Sequence, residues 1–400
     1  MIGGLLARTF LEERGRVIAS LARTFGDLGV AEDGFADACA RALESWPRDG
    51  LPRNPAGWLH QVARRRILDQ LRRRKFHGGA VPESAAAPED ERPEGEEIVP
   101  DERLRLLFVI CHPALAPATQ AALALRTLGG LETNEIARAF LEPETTTAQR
   151  IVRAKKKIAE AGIRFEVPDR FVERLAGVLG TVYLVFHQGF THRRLALASE
   201  AERLAALLAE LVPTEPEVWG LRALIAANRA RWEGRWDDTG VPVPLELQDR
   251  GRWDTARVAD AERWLATGLS FRRPGSYQIQ AAIAVLHARA PTAAETDWAQ
   301  IVGLYAALLT HLPTPVVRMN AAVAESMLRG PEAGLVWLDR LLEDADLAAH
   351  APFHAARGAL LARAGRPAEA EDAYALAIER ADEPERTAIA RARARELGRA

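Results

Sequence analysis

An apolar residue returns every three or four positions along almost the whole chain, and alternation of β-branched residues is nearly absent. That period collects apolar groups on one side of a helix and argues against strands, so the chain reads as all-α. Val17, Leu21 and Phe25 form one stripe over residues 16–25. Phe35, Cys39, Ala42 and Leu43 form another over 31–45. Pro, Asp, Gly and Asn punctuate 47–55, which reads as a loop. A helix is expected from Pro55, at its first turn, to Arg74, with Trp58, Leu59, Val62, Ile67, Leu68 and Leu71 on its apolar side. Further helices are expected over 101–111, 117–128, 133–141 and 145–161.

The chain has 400 residues, and at roughly 150 residues per domain it holds two or three. Residues 77–100 (HGGAVPESAAAPEDERPEGEEIVP) carry almost no large apolar group. Such a stretch cannot offset its ordering entropy and reads as a flexible acidic linker. The expected organisation is therefore a helical domain over 1–76, the linker 77–100, a second small helical domain over 101–165, and a helical extension over 166–400. The formal net charge of −2 hides this division. Residues 1–76 carry 14 basic and 9 acidic groups, for +5; the linker is −6, residues 101–164 are +3, and the rest is −4. Two modestly basic segments are thus masked by acidic ones.

The first basic segment is RRRILDQLRRRK over 64–75, with seven cations and one acid. Arg64, Arg65, Arg66, Arg72 and Arg73 suit a phosphate backbone, because each neutralised phosphate releases counterions. Trp46 and Trp58 flank the preceding loop, with Arg48, Arg53 and Asn54 in it. Aromatic platforms beside basic groups suit single-stranded DNA, where bases stack or are extruded. A solvated helix face is the plain alternative for the charge run; core packing is the favoured reading of Trp58, and Trp46 is open.

The second is ETNEIARAFLEPETTTAQRIVRAKKKI over 132–158. Two helices joined by a short turn, the second polar at its start and basic at its end, describe a helix-turn-helix. Thr145, Thr146, Gln149 and Arg150 lie where a recognition helix reaches base edges. Arg150 suits guanine and Gln149 adenine. Arg153, Lys155, Lys156 and Lys157 read as phosphate contacts that position without specifying. An ordinary helical hairpin with basic ends is the alternative.

The extension carries a weak repeat. GLVWLDRLL after Gly330-Pro331 aligns with EAEDAYALAI after Arg366-Pro367 at a spacing of 36, with Ala322 on Gly358, Leu338 on Tyr374 and Leu341 on Ala377. A small residue in the first helix, then Ala370, Tyr374 and Ala377 in the second, matches tetratricopeptide spacing, and stacked hairpins offer a concave surface. Asp249-Arg250, Trp253-Asp254, Glu295 and Asp297-Trp298 are its polar knots, read as caps or ion pairs before a ligand or peptide pocket.

Three quoted segments, AEDGFADACARALESWP, NPAGWLHQVARRRILDQLRRR and NEIARAFLEPETTTAQRIVRAKKKI, resemble regions 2 and 4 of bacterial RNA polymerase sigma factors of the extracytoplasmic-function group. CHPALAP, LPTEPEVWGLRALIAA and AAETDWAQIVGLY resemble the subgroup with a tetratricopeptide-like extension. The resemblance implies that Asp33 and Asp37 dock on the polymerase clamp helices and that region 4 meets the flap. It implies that 47–54 captures a flipped minus-ten base, and that Thr146, Gln149, Arg150 and Arg153 read the minus-thirty-five element. Gln is usual where Ala36 stands, Gly is common where Leu141 stands, and Lys is frequent where Ala148 stands.

The partners so implied are RNA polymerase core and promoter DNA, with a regulatory protein or peptide on the extension. A one-component helix-turn-helix regulator with a helical sensing domain is the alternative, and a repeat scaffold with merely solvated basic helices is the third reading. No cofactor, metal site or enzymatic motif is expected. Cys111-His112 lacks further ligands nearby, and Pro352 separates His350 from His354. Two cysteines, Cys39 and Cys111, make no disulfide framework. No apolar stretch reaches the roughly 20 residues of a membrane span, so the chain is expected to be cytoplasmic without membrane insertion.

Overall fold

The computed structural model describes residues 2–76, 102–140, 142–161, 163 and 172–398. The linker 77–100, Leu141 and the start of the extension lie outside the described residues. Among the described residues the chain is helical with no strand, only an isolated bridge between Trp236 and Pro242. It divides into two compact units, Met1–Leu211 and Val212–Ala400.

In the first unit α1 (Ile2–Phe25) runs further toward the N-terminus than the stripe over 16–25 suggests. It ends at Gly26, whose φ of 68° admits the left-handed conformation. Asp27 then caps α2 (Leu28–Asp49), accepting from the Val30 amide at 3.0 Å. Leu28, Ala31, Phe35, Ala38, Ala42 and Trp46 form its buried stripe. α3 (Pro55–Phe76) buries Leu59, Ala63, Ile67 and Leu71, one position every fourth residue. Gly34 lets the two approach closely: a Cβ there would lie 2.6 Å from Ile67 Cδ1.

The expected loop over 47–55 is shorter than its composition suggests. Pro47 lies inside α2, which continues to Asp49. Proline removes one amide and crowds the preceding turn, yet in the last turn little helix remains to be disrupted. The helix stops at Gly50, with φ of 84°, whose amide donates to Trp46 O at 3.0 Å.

α4 (Glu102–Ile110) is buried on nearly every side, and α5 (Pro117–Thr127) buries Ala121 to Leu125. α6 (Thr133–Ala139) opens with a reciprocal capping box between Glu132 and Glu135. α7 (Glu144–Glu160) buries one stripe, Thr147, Ile151, Ala154 and Ile158. α8 (Val172–Thr191) and α9 (Leu195–Leu211) belong to this unit, not to the second. α8 packs on α4 and α5, where Arg174 donates to Phe108 O at 3.1 Å and Cys111 Sγ meets Thr181 Oγ1 at 3.4 Å. Arg103 pairs with Glu200 at 3.0 Å, and Arg194 with Glu135. The contact division thus falls at Leu211 rather than near 166, because the apolar stripe of α8 finds its cover on the helices before it.

The second unit contains α10 (Pro216–Ala230), α11 (Thr255–Ser270), α12 (Ser276–Arg289), α13 (Trp298–His311), α14 (Pro315–Arg329), α15 (Pro331–Asp339), α16 (Ala345–Ala348), α17 (Ala351–Arg363), α18 (Pro367–Arg380) and α19 (Glu383–Glu396). The segments aligned at a spacing of 36 form helical hairpins, α14 with α15 and α17 with α18. Gly358 packs face to face with the buried Tyr374 ring, where a Cβ would sit 3.0 Å from ring carbons. Of the polar knots, Asp249, Asp254 and Asp297 are caps, accepting from the amides of Gly251, Arg257 and Gln300.

Candidate nucleic-acid interface

The turn between α2 and α3 builds a cavity of about 780 Å3 whose lining includes Arg41, Trp46, Arg48, Leu51 and Trp58. Trp46 is 5% exposed and Trp58 half-buried, so the deeper ring is the one left open by the sequence. The two rings meet edge to face at 5.2 Å, and Phe10 backs Trp46 at 5.5 Å. Trp46 is the deeper ring of the lining, and Trp58 the more exposed one. Asn54 caps α3, its Oδ1 accepting from the Gly57 amide at 2.9 Å. That cap fixes the direction in which α3 leaves the cavity.

Arg48 and Arg53 are exposed beside the cavity, although Glu44 and Asp49 temper the charge there. Along α3, Arg65, Arg66, Arg72 and Arg73 are exposed and Arg64 is half-buried. Arg72 contacts Asp69 at 3.4 Å. His60 lies on the same helix, 3.2 Å from Ser20 Oγ; burial, then Arg64, hold its imidazole below the usual range. Asp33 is exposed and Asp37 half-buried one turn on, where it accepts from Gln70 at 3.4 Å.

α7 separates its polar residues into two groups. Thr145, Thr146, Gln149 and Arg153 are exposed, as a reading face requires. The other cations are engaged. Glu142 takes Arg150 in a fork, at 2.7 and 2.5 Å, and accepts from Thr147 Oγ1 at 2.5 Å. The Phe140 ring lies 5.7 Å from the Arg150 guanidinium. Lys156 pairs with Glu160 at 3.5 Å, and Lys157 donates to Ala114 O at 2.5 Å. Lys155 reaches Glu32 on α2, which also accepts from Thr127 Oγ1 at 2.9 Å and lies 3.9 Å from Arg14. The two basic segments are therefore joined through one nearly buried carboxylate.

Comparison with known proteins meets this geometry at the first segment. Residues 10–77 match the sigma-70 region 2 family, and residues 174–269 match a family of unknown function, DUF6596. The chain is 42% identical over 391 residues to the uncharacterized protein R00370 of Rhizobium meliloti, covering 94% of this chain and 92% of that one. The chain belongs to the family of that protein. It is also 29% identical over 146 residues to the ECF RNA polymerase sigma factor SigE of Mycolicibacterium smegmatis, covering 36% of this chain and 56% of SigE. No solved structure matches. The region 2 match and the likeness to SigE together support a sigma factor.

Within the region 2 match lie the Trp46–Trp58 cavity, the arginines of α3, and Asp33 and Asp37. Sequence reasoning passed over Glu32 and Glu142, the acids that hold Lys155 and Arg150. Glu142 carried a legible signal, an acid in the turn just before a helix whose second turn holds an arginine. Glu32 carried none, since its lysine is 123 residues away. Among the described residues there is no cluster of three potential metal ligands, and no helix is long and apolar enough to cross a membrane.

Proposed function

We propose that this protein is a promoter-specificity subunit that binds RNA polymerase core through residues 1–76 and brings it to promoter DNA. The observation that carries the reading is the aromatic and arginine-bearing cavity at the α2–α3 turn, lying inside a segment that matches sigma-70 region 2. Asp33 and Asp37 are the groups for the clamp helices, with the flap as the contact of the second basic segment. Trp46, Arg48, Arg53, Asn54 and the α3 arginines melt and hold the minus-ten element, with Trp58 supplying the accessible ring for a flipped base. A base extruded from the stack needs an aromatic surface and fixed cations nearby, and the cavity supplies both.

The second segment, 101–165, is assigned to region 4, with α6 and α7 as a helix-turn-helix. Thr145, Thr146, Gln149 and Arg153 meet the minus-thirty-five element, joined by Arg150 when Glu142 releases it. Lys155, Lys156 and Lys157 contact phosphates, Lys155 after leaving Glu32. The extension over 166–400 is a tetratricopeptide-like array that regulates or stabilises the front of the chain. Packing of α8 on α4 and α5, with the Arg103–Glu200 ion pair from α4 to α9, supports the stabilising part of that role.

Run-off transcription tests the proposal. Core polymerase reconstituted with the full chain should initiate from cognate genomic promoter fragments that core alone ignores. Co-purification with polymerase subunits should accompany it. Failure to do either across a genome-wide fragment set overturns the reading.

A further inference from the structure

The repeat spacing of the second unit becomes a spatial correspondence around one cavity. Asn320, Val323, Ala324 and Met327 of α14 correspond, 36 positions on, to Ala356, Ala359, Leu360 and Arg363 of α17. All eight line a cavity of about 630 Å3, within the size range of ligand sites. The spacing i, i+3, i+4, i+7 is one face of each helix, so two equivalent faces form adjoining parts of its wall. Trp298 and Tyr305 of α13 extend the wall.

Four polar side chains around this cavity have no strong partner among the described residues; Glu246 and Arg363 are exposed, Asn320 is half-buried and Thr296 is buried. The Asn320 amide makes no hydrogen bond among the described residues, and Glu246 joins no ion pair there. Arg363 donates to the Met327 sulphur at 3.3 Å, a weak acceptor, and meets no carboxylate among the described residues. Thr296 is 6% exposed, and its hydroxyl has no hydrogen-bond partner. Buried hydroxyls are ordinarily bonded, and this one lies against the cavity.

We propose that this cavity binds a short extended peptide segment. A peptide bond presents one donor and one acceptor, the pair that the Asn320 amide offers in return. Trp298, Tyr305 and Met327 give an apolar seat for one side chain. The charges are of both signs: Glu246 and Glu396 oppose a polyanion, and Arg250 and Arg363 oppose a polycation. A segment of low net charge with an apolar anchor complements that balance. Packed helices stand about 8–10 Å apart, a distance that an extended chain crosses in about three residues at roughly 3.3 Å each. The segment therefore spans from Asn320 to Arg363, with its backbone across the two helix faces. The inference does not depend on the promoter reading.

The test uses the full-length chain and a phage-displayed library of random dodecapeptides. Enriched peptides are synthesised with a fluorophore, and their binding is followed by anisotropy. Binding should weaken at least tenfold in Asn320→Ala and in Arg363→Ala, and stay unchanged in Arg318→Ala on another face of α14. Circular dichroism melts check folding, and Asn320→Gln and Arg363→Gln replace any variant that fails. No enrichment, or peptides that bind these variants as they bind the wild type, overturns the proposal. A parallel thermal-shift screen of free amino acids that responds through Asn320 and Arg363, with no peptide doing so, also overturns it in favour of a small zwitterion.

Discussion

Glu32 on α2 and Lys155 on α7 form an ion pair between residues 123 positions apart, and it ties the two basic segments of the first unit together. Glu32 is 9% exposed and Lys155 a quarter exposed, so neither charge is left to water alone. Thr127 and Arg14 complete the surroundings of the carboxylate. A lysine spent in this way is withheld from a phosphate.

Glu32→Gln should loosen α2 from α7 and free Lys155. Removing one partner of a fully buried pair costs roughly 3–5 kcal/mol, and the partial exposure of Lys155 brings the expectation nearer to about 2 kcal/mol. Amide exchange in α7 should accelerate accordingly. At the same time, binding of the free protein to promoter fragments should strengthen. Its salt slope should steepen by about one released counterion, measured by anisotropy over a potassium chloride series. A double-mutant cycle with Lys155→Met isolates the pair. No coupling in that cycle contradicts the assignment.

The two tryptophans of the region 2 cavity should separate by their burial. Trp46→Ala empties a core position, at about 3–5 kcal/mol, and the first unit should melt early. Trp58→Ala should leave the fold largely intact and impair promoter opening. Loss of one base–aromatic stack is worth about 1–3 kcal/mol, or roughly 5- to 150-fold in open complex. Permanganate reactivity of the minus-ten thymines measures it. Equal defects in folding and opening for both variants count against Trp58 as the stacking ring.

Gly220 should be intolerant of the smallest side chain. Alanine in a helix interior ordinarily gains up to about 1 kcal/mol over glycine. Here its Cβ would stand 2.5 Å from the backbone nitrogen of Gln278 and 2.9 Å from the carbonyl carbon of Tyr277. Backbone cannot swing aside as a side chain can, so α10 and α12 must separate. Gly220→Ala should cost about 1–3 kcal/mol, seen as faster exchange of α10 and α12 amides. Unchanged exchange contradicts the close packing.

The sequence made the helices and their buried faces legible, since a stripe such as Leu28, Ala31, Phe35 and Ala38 needs only the helical period. It also paired the hairpins of the second unit, since the segments 36 apart form equivalent helices, yet none of the residues it aligned at that spacing lines the cavity there. What it could not reveal is which stripe covers which. α8 reads as the opening of a separate extension, yet packs on α4 and α5, and nothing in its own composition names that partner. The same holds for charges. The cations of α7 read alike in sequence, but the acids that hold Arg150 and Lys155 come from a turn and from another helix. Trp46 and Trp58 differ in depth because one faces inward at the end of α2 while the other begins α3 at the cavity rim, a distinction of packing.

His287 makes the second unit sensitive to acid. Burial, then the charges of Arg231 and Arg250, depress its imidazole from 6.5 to about 4. It lies edge-on to Trp298 at 5.2 Å, beside the proposed peptide cavity. With a folded-state pKa below the unfolded one, the neutral ring's contribution is complete above about pH 6.5. As the pH falls toward 4 the unfolded chain takes up a proton that the folded chain refuses, and stability drains away over that window. The drop from this group is at most about 3 kcal/mol by pH 4. His287→Gln should flatten that part of the profile, so that its deficit against the wild type is larger at pH 8 than at pH 5. Urea midpoints of both proteins between pH 4 and 8, followed by tryptophan fluorescence, give the comparison. Parallel profiles that never diverge below pH 6.5 contradict a buried neutral His287.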